Sequence, residues 1–223
     1  MGFLDFLFQS NIQKSESVMN YEALFAQKLS PLLPLDQLTF TVLDTETTGL
    51  NVKEDYILSF GAVKIKKNTI LIEKSMELYL QAPIQKKESV KIHEIVASEK
   101  TKLGDFAQKF LQFIGNDIIV GHHVGFDILM LEKALKPFGL KKLKNQYLDT
   151  SSLASRIDHG PFGAPEMGKP GAYSLDNLCL KYQIALDDRH TAAGDAFLTA
   201  QLFLKLKKLA AQKGILKLGE LIK

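Results

Sequence analysis

Five residues in this chain have the types and surroundings to do chemistry: Asp44 and Glu46 in TVLDTETTGL, Asp127 in VGHHVGFDILML, and His190 with Asp195 in RHTAAGDAFLTAQLF. Each sits in apolar sequence. There an ionised carboxylate is strongly destabilised unless it is paired, hydrogen-bonded or bound to a metal. No single lysine or arginine is placed to neutralise all four acids. Divalent cations would do so, and a metal-dependent hydrolase is the leading reading.

The local pattern around each residue sharpens this. Residues 38–44 are rich in β-branched and large apolar types and read as a strand. Side chains alternate along a strand, so Phe40, Val42, Asp44 and Glu46 share one face, and Thr41, Leu43 and Thr45 the other. Two carboxylates on one face at a strand end make a hard-oxygen cup for Mg²⁺ or Mn²⁺. A strand terminus turning to solvent would also carry such a pair. Thr47, Thr48 and Gly49 follow, with hydroxyls and a permissive backbone for a close ligand.

Asp127 opens a helix expected over 126–138, on the side of Met130, Leu131, Ala134 and Leu135. Taken alone, an acid in a first helical turn is explained by the macrodipole. Asp195 repeats the pattern in line with Leu198, Leu202 and Phe203. It reads as well inside a helix that starts near Thr191, where capping gives no explanation and aspartate is a poor helix former. His190 lies five residues before Asp195. Within one helix that spacing is about 500° of rotation, some 140° off a shared face. The two converge only if His190 sits in the loop ahead of the helix, and Asp187-Asp188-Arg189 reads as loop. A histidine there is suited to take a proton from attacking water near neutral pH. By itself, a loop histidine needs no such role.

The elements that position these residues alternate in type. Residues 1–36 read as a helical arm, with Phe3, Phe6 and Leu7, then Tyr21, Leu24, Phe25 and Leu29 at helical spacing. Ser30-Pro31 and Leu33-Pro34 end it. After the first strand, 56–66 and 70–80 form two more, joined as a hairpin through residues 66–69. A helix over 103–114, a strand over 117–121, the Asp127 helix, a strand over 146–149 and a helix from 150 follow. Residues 159–172 hold four glycines and three prolines and read as an irregular insert. Helices over 174–182 and 191–212 close the pattern, leaving 213–223 as a short tail. Strands first and then strands interleaved with helices point to one α/β domain over 37–212, a mixed sheet flanked by helices.

Composition agrees with a single globular unit of 223 residues, 46% hydrophobic and 24% charged. A net charge of +3 permits nucleic-acid binding without arguing for it, although lysines cluster at 64–67, 86–91 and 141–144. The single cysteine, Cys179, excludes an intrachain disulfide and a thiolate zinc cluster. Neither a secretory leader, a myristoylation motif nor a run of 18 apolar residues is present, so the expected compartment is the cytoplasm.

Taken in order, DTETTG, HHVGFD and HTAAGDA resemble the three motifs of the DEDDh 3′–5′ exonucleases. That superfamily includes the proofreading epsilon subunit of bacterial DNA polymerase III and ribonuclease T. The resemblance runs from about residue 40 to residue 206, with further echoes in Ile92-His93 and Leu148-Asp149-Thr150. It implies a ribonuclease H-like α/β fold built on a central five-stranded mixed sheet. It also implies that Asp44, Glu46, Asp127 and Asp195 hold two Mg²⁺ or Mn²⁺ ions, with Asp44 bridging them and Asp127 partly through water, and that His190 is the general base. Two metals roughly 3.5–4 Å apart activate water on one side and stabilise the leaving 3′ oxygen on the other.

By the same resemblance, Thr47, Thr48, Gly49 and Leu50 cradle the terminal nucleotide, Leu50 and Phe126 lie against its base, and His93 and His123 contact the strand. The implied substrate is a single-stranded 3′ end, DNA favoured over RNA, and the product a nucleoside monophosphate. A polymerase or repair partner and a homodimer stay open. Two positions depart from the family pattern: His123 stands where an asparagine is usual, and Glu94 where a glycine is usual after Ile92-His93. A catalytically lapsed docking module would be expected to have lost a carboxylate, and none is lost.

Overall fold

A computed structural model of the chain describes residues 12–82 and 100–222. Phe3, Phe6, Leu7, the lysines at 86, 87 and 91, His93 and Glu94 lie outside the described residues. The chain runs α1 (Glu16–Ala23), β1 (Thr39–Thr47), β2 (Ile57–Lys66), β3 (Thr69–Tyr79), α2 (Leu103–Ile114), β4 (Ile118–Gly121) and α3 (Gly125–Leu135). It continues through β5 (Tyr147–Asp149), α4 (Thr150–His159), α5 (Leu175–Lys181), α6 (Ala192–Gln212) and α7 (Leu218–Leu221).

The five strands form one mixed sheet in the order β3-β2-β1-β4-β5. β1, β2 and β3 are antiparallel neighbours, with Lys67 taking φ 58° in the tight turn of the β2–β3 hairpin. β4 lies parallel to β1, and β5 parallel to β4. The expected five-stranded mixed sheet with flanking helices is the observed architecture. β1 is its centre, and the alternation of its side chains decides what each face meets. Phe40 and Val42 pack with Leu198, Leu202, Phe203 and Leu206 of α6 and with Leu178 of α5. Leu43, on the opposite face, packs with Phe106 and Phe110 of α2 and Leu131 of α3.

Three expectations are corrected. The helical period of the arm does not continue through Leu29: α1 ends at Ala23, and Leu24 is exposed. Of the arm helix, Val18 and Tyr21 are buried, and the Tyr21 side chain reaches into the domain. Its hydroxyl donates to Asn145 Oδ1 at 2.6 Å and accepts from the Lys144 backbone N–H at 2.7 Å. The insert at 159–172 holds one regular piece, a 3₁₀ turn over Pro165–Met167, started by a proline whose fixed φ suits the first helical position. Asp195, finally, is not deep inside its helix. α6 begins at Ala192 with Thr191 as N-cap, which puts Asp195 in the first turn, near the positive end of the helix dipole.

The stretch after residue 212 packs onto the domain. Leu218 and Leu221 are buried in the α6-side core, and the backbone of 216–219 hydrogen-bonds to residues 31–35, just ahead of β1.

Candidate active site

The register of the central strands builds the site. Asp44 on β1 lies opposite Gly61 on β2, on the face covered by α6. A Cβ at Gly61 would come within 2.2 Å of the Ala192 carbonyl carbon. The missing side chain lets the first turn of α6 rest on the sheet beside Asp44, and that turn carries Asp195. Thr191 fixes its start: its hydroxyl accepts from the Gly194 N–H and donates to the Asp188 carbonyl, both at 3.0 Å. Gly194 is equally constrained, because a Cβ there would meet the Asp188 carbonyl oxygen at 1.9 Å.

The result is a three-carboxylate cluster. One oxygen each from Asp44, Glu46 and Asp195 lies within 4.8 Å of the others. Burial, followed by the charges of Asp127, Asp195 and Glu46, pushes the Asp44 carboxyl well above its ordinary range. Burial and then Asp195 and Asp127 raise Glu46 to about 7. Asp195 is 8% exposed, and its Oδ1 has no hydrogen-bond partner among the described residues. Hard oxygen donors, mutual repulsion and a buried orphan oxygen together fit a divalent cation such as Mg²⁺ or Mn²⁺.

Asp127 is not one of these three, yet its charge is the first after burial among those that raise Asp44. Asp127 is in the first turn of α3, 5% exposed, and its Oδ1 accepts from the Thr45 backbone N–H at 3.0 Å and from the Thr45 hydroxyl at 2.6 Å. Thr45 points to the opposite face of β1 from Asp44 and Glu46. Burial raises Asp127 to about 7, and the two Thr45 hydrogen bonds work against that shift.

His190 is exposed in the turn that precedes the Thr191 cap, with φ 65°, so it lies in the loop as its spacing from Asp195 requires. The turn after β1 is stapled internally. Thr47 Oγ1 donates to the Gly49 carbonyl at 2.7 Å, and Thr48 Oγ1 donates to Asp55 Oδ1 at 2.8 Å. A Cβ at Gly49 would press against the Asp55 carboxylate at 2.6 Å. Both threonine hydroxyls are thus engaged within the turn, and Leu50, 85% exposed, is its outward-facing apolar group. Phe126 is half-buried against the α2–α3 core. His123 is exposed with φ 57°, its ring 4.5 Å from that of His122, and it lines a cavity of about 350 Å³ with residues 165–174.

Residues outside the motif reading complete the surroundings. Arg189 pairs with Asp195 and Asp176. Its only signal in the sequence is a cation next to His190, which a solvated loop would equally carry. His122 is pushed down to about 4, chiefly by burial, and its Nδ1 lies 2.8 Å from Thr150 Oγ1. Asp149 accepts from the Val124 N–H at 3.0 Å and caps α4 through Ser151 and Ser152, which ties β5 to the entry of α3.

Residues 41–203 match the family model described as "Exonuclease". The chain is 34% identical over 184 residues to a PolC-type DNA polymerase III of Bacillus subtilis, an alignment that covers 81% of this chain and 12% of that protein. Its span is therefore a small part of the length of such relatives. A DNA polymerase III epsilon subunit of Aquifex aeolicus is 29% identical over 170 residues, covering 75% of this chain and 80% of that one. In fold, the chain is similar to E. coli exonuclease I in a zinc-bound complex with single-stranded DNA. The TM-score is 0.64 at 17% identity, covering 79% of this chain and 42% of that one. The five-stranded sheet is accordingly of the ribonuclease H-like kind. With its motif-bearing region matched from β1 to α6, the chain belongs to the exonuclease family.

Proposed function

We propose that this chain is a 3′–5′ exonuclease that hydrolyses the terminal phosphodiester of single-stranded DNA and releases nucleoside monophosphates. The observation that carries this reading is the convergence of Asp44, Glu46 and Asp195 within 4.8 Å. These three would hold Mg²⁺ or Mn²⁺, two ions in the full site, with Asp127 joining through water. When bound, such cations supply Lewis-acid charge to the attacking water and to the leaving 3′ oxygen.

The remaining roles belong to the chain's own side chains. His190, exposed on the turn ahead of α6, takes the proton of the attacking water in this reading, a task suited to an imidazole near neutral pH. Thr47, Thr48 and Gly49 present a rigid turn to the terminal nucleotide, and Leu50 offers an apolar face to its base. Contacts to the strand are assigned to Phe126, His123 and His93. Contacts of this kind follow backbone and base faces without reading sequence. DNA is favoured because the relatives are DNA polymerases and the structural neighbour holds single-stranded DNA. Those relatives also support a polymerase partner and a cytoplasmic setting. No described helix is long and apolar enough to cross a membrane. We assign the activity to residues 37–212, flanked by the arm at 1–36 and the tail at 213–223.

The test is degradation of 5′- and 3′-labelled DNA and RNA oligonucleotides with Mg²⁺, Mn²⁺ or EDTA, beside Asp44→Ala and His190→Ala. The expected result is a ladder that shortens from the 3′ end, is faster on DNA, stops in EDTA and is lost in both variants. Hydrolysis that persists in EDTA or in Asp44→Ala would refute the assignment, and faster loss of RNA would move the substrate to RNA 3′ ends.

A further inference from the structure

Arg189 is largely buried beside the carboxylate cluster, and neither cation binding nor proton transfer as described uses it. Its Nε donates to Asp176 Oδ1 at 2.6 Å, and its Nη1 donates to Asp195 Oδ2. One guanidinium therefore ties the first turn of α5 to the first turn of α6. The planar fork of arginine can hold two carboxylates at set positions, whereas the ammonium of lysine is a point charge without that geometry. Asp195 is thus divided between its oxygens. Oδ2 belongs to Arg189, and Oδ1 is buried with no partner among the described residues.

We propose that Arg189, anchored by Asp176, is a positioning residue for the metal centre: it fixes the rotation of the Asp195 carboxylate so that Oδ1 is the oxygen offered to the cation. This rests on the reading of Asp44, Glu46 and Asp195 as a cation site. The Arg189 guanidinium also holds the Asp176 carboxyl below its ordinary range, so the anchor is a firmly ionised pair. The same contacts hold the turn at 187–190, and with it His190, against the start of α6.

Electrostatics alone predict the opposite effect of removing Arg189. Loss of a cation beside three carboxylates would strengthen their attraction for Mn²⁺. The direction of the change therefore separates positioning from simple charge balance.

The experiment is a Mn²⁺ titration, read by the electron paramagnetic resonance signal of the free ion, on the wild-type chain, Arg189→Gln and Arg189→Lys. Positioning predicts that Arg189→Gln binds Mn²⁺ about 10–100-fold more weakly, the range seen when a partner orienting a metal ligand is lost. It also predicts that Arg189→Lys, with the charge kept and the fork removed, fails to restore wild-type affinity. Equal or tighter binding by Arg189→Gln, or wild-type affinity in Arg189→Lys, would overturn the proposal. Should Arg189→Gln not fold, the charge-conserving Arg189→Lys decides alone. A wild-type chain that binds no Mn²⁺ would overturn this proposal together with the exonuclease reading. Binding that ignores both substitutions would overturn this proposal only.

Discussion

Glu46 is pushed up to about 7 by burial and by its acidic neighbours, and burial takes Asp127 to about 7 as well. The folded state holds these protons more tightly than the unfolded chain, whose carboxyls titrate near 4. Their contribution to stability is therefore fully present below about pH 4 and is lost as pH rises toward 7. A bound divalent cation takes over the role of the protons, so Mn²⁺ should raise the melting temperature much more at pH 8 than at pH 5. Thermal melts in EDTA and in Mn²⁺ at the two pH values check this, and an equal gain at both would contradict it. The shared face of Asp44 and Glu46 was legible from strand alternation, and the alignment of Asp195 with Leu198 and Leu202 from helical period. That Asp127 is held by Thr45 was not legible, because it depends on how α3 is placed against β1. The Arg189 bridge was hidden for a similar reason: its partners sit in two helices whose relative placement no local pattern encodes.

At the scale of elements, the site depends on the first turn of α6 lying against β2. Gly61→Ala should push that turn off the sheet, since the added Cβ would overlap the Ala192 backbone. Overpacking of this kind destabilises by about 1–3 kcal/mol, and the displacement of Asp195 should lower hydrolysis even where the chain stays folded. Denaturant unfolding and oligonucleotide degradation measure the two effects, and a variant with wild-type values of both would contradict the account. Thr191→Ala should destabilise by about 1 kcal/mol through loss of the cap and of the bond to the Asp188 carbonyl. Thermal unfolding measures it, and a melting point equal to wild type would contradict the capping role. The start of α6 was legible to within a residue because Thr191 is a strong N-cap type. A helix starting there places residue 195 in the first turn, where the dipole favours an acid. The arm shows the reverse. Its helical spacing through Leu29 was real in sequence, yet α1 ends at Ala23, and what the arm gives the domain is the Tyr21 hydroxyl on Asn145 and Lys144.

For the whole molecule, the succession of strands and helices was enough to expect a mixed α/β sheet, because each strand is bounded by turn residues and each helix has its own apolar period. The contribution of the last residues was not visible, since 213–223 is short and polar at its start. In the fold, Leu218 and Leu221 are buried and the backbone of 216–219 holds the segment that leads into β1. Deleting 213–223 should therefore cost several kcal/mol, given roughly 2–5 kcal/mol for each buried leucine side chain lost. A deletion variant that melts with the full chain would contradict this. The central claim, that β1 and α6 bring Asp44, Glu46 and Asp195 together to hold the catalytic cations, is tested most directly by anomalous diffraction from a crystal loaded with Mn²⁺. The account predicts a manganese peak bonded to oxygens of these three carboxylates. Manganese absent from them at saturating concentration, or bound only elsewhere on the molecule, would contradict it.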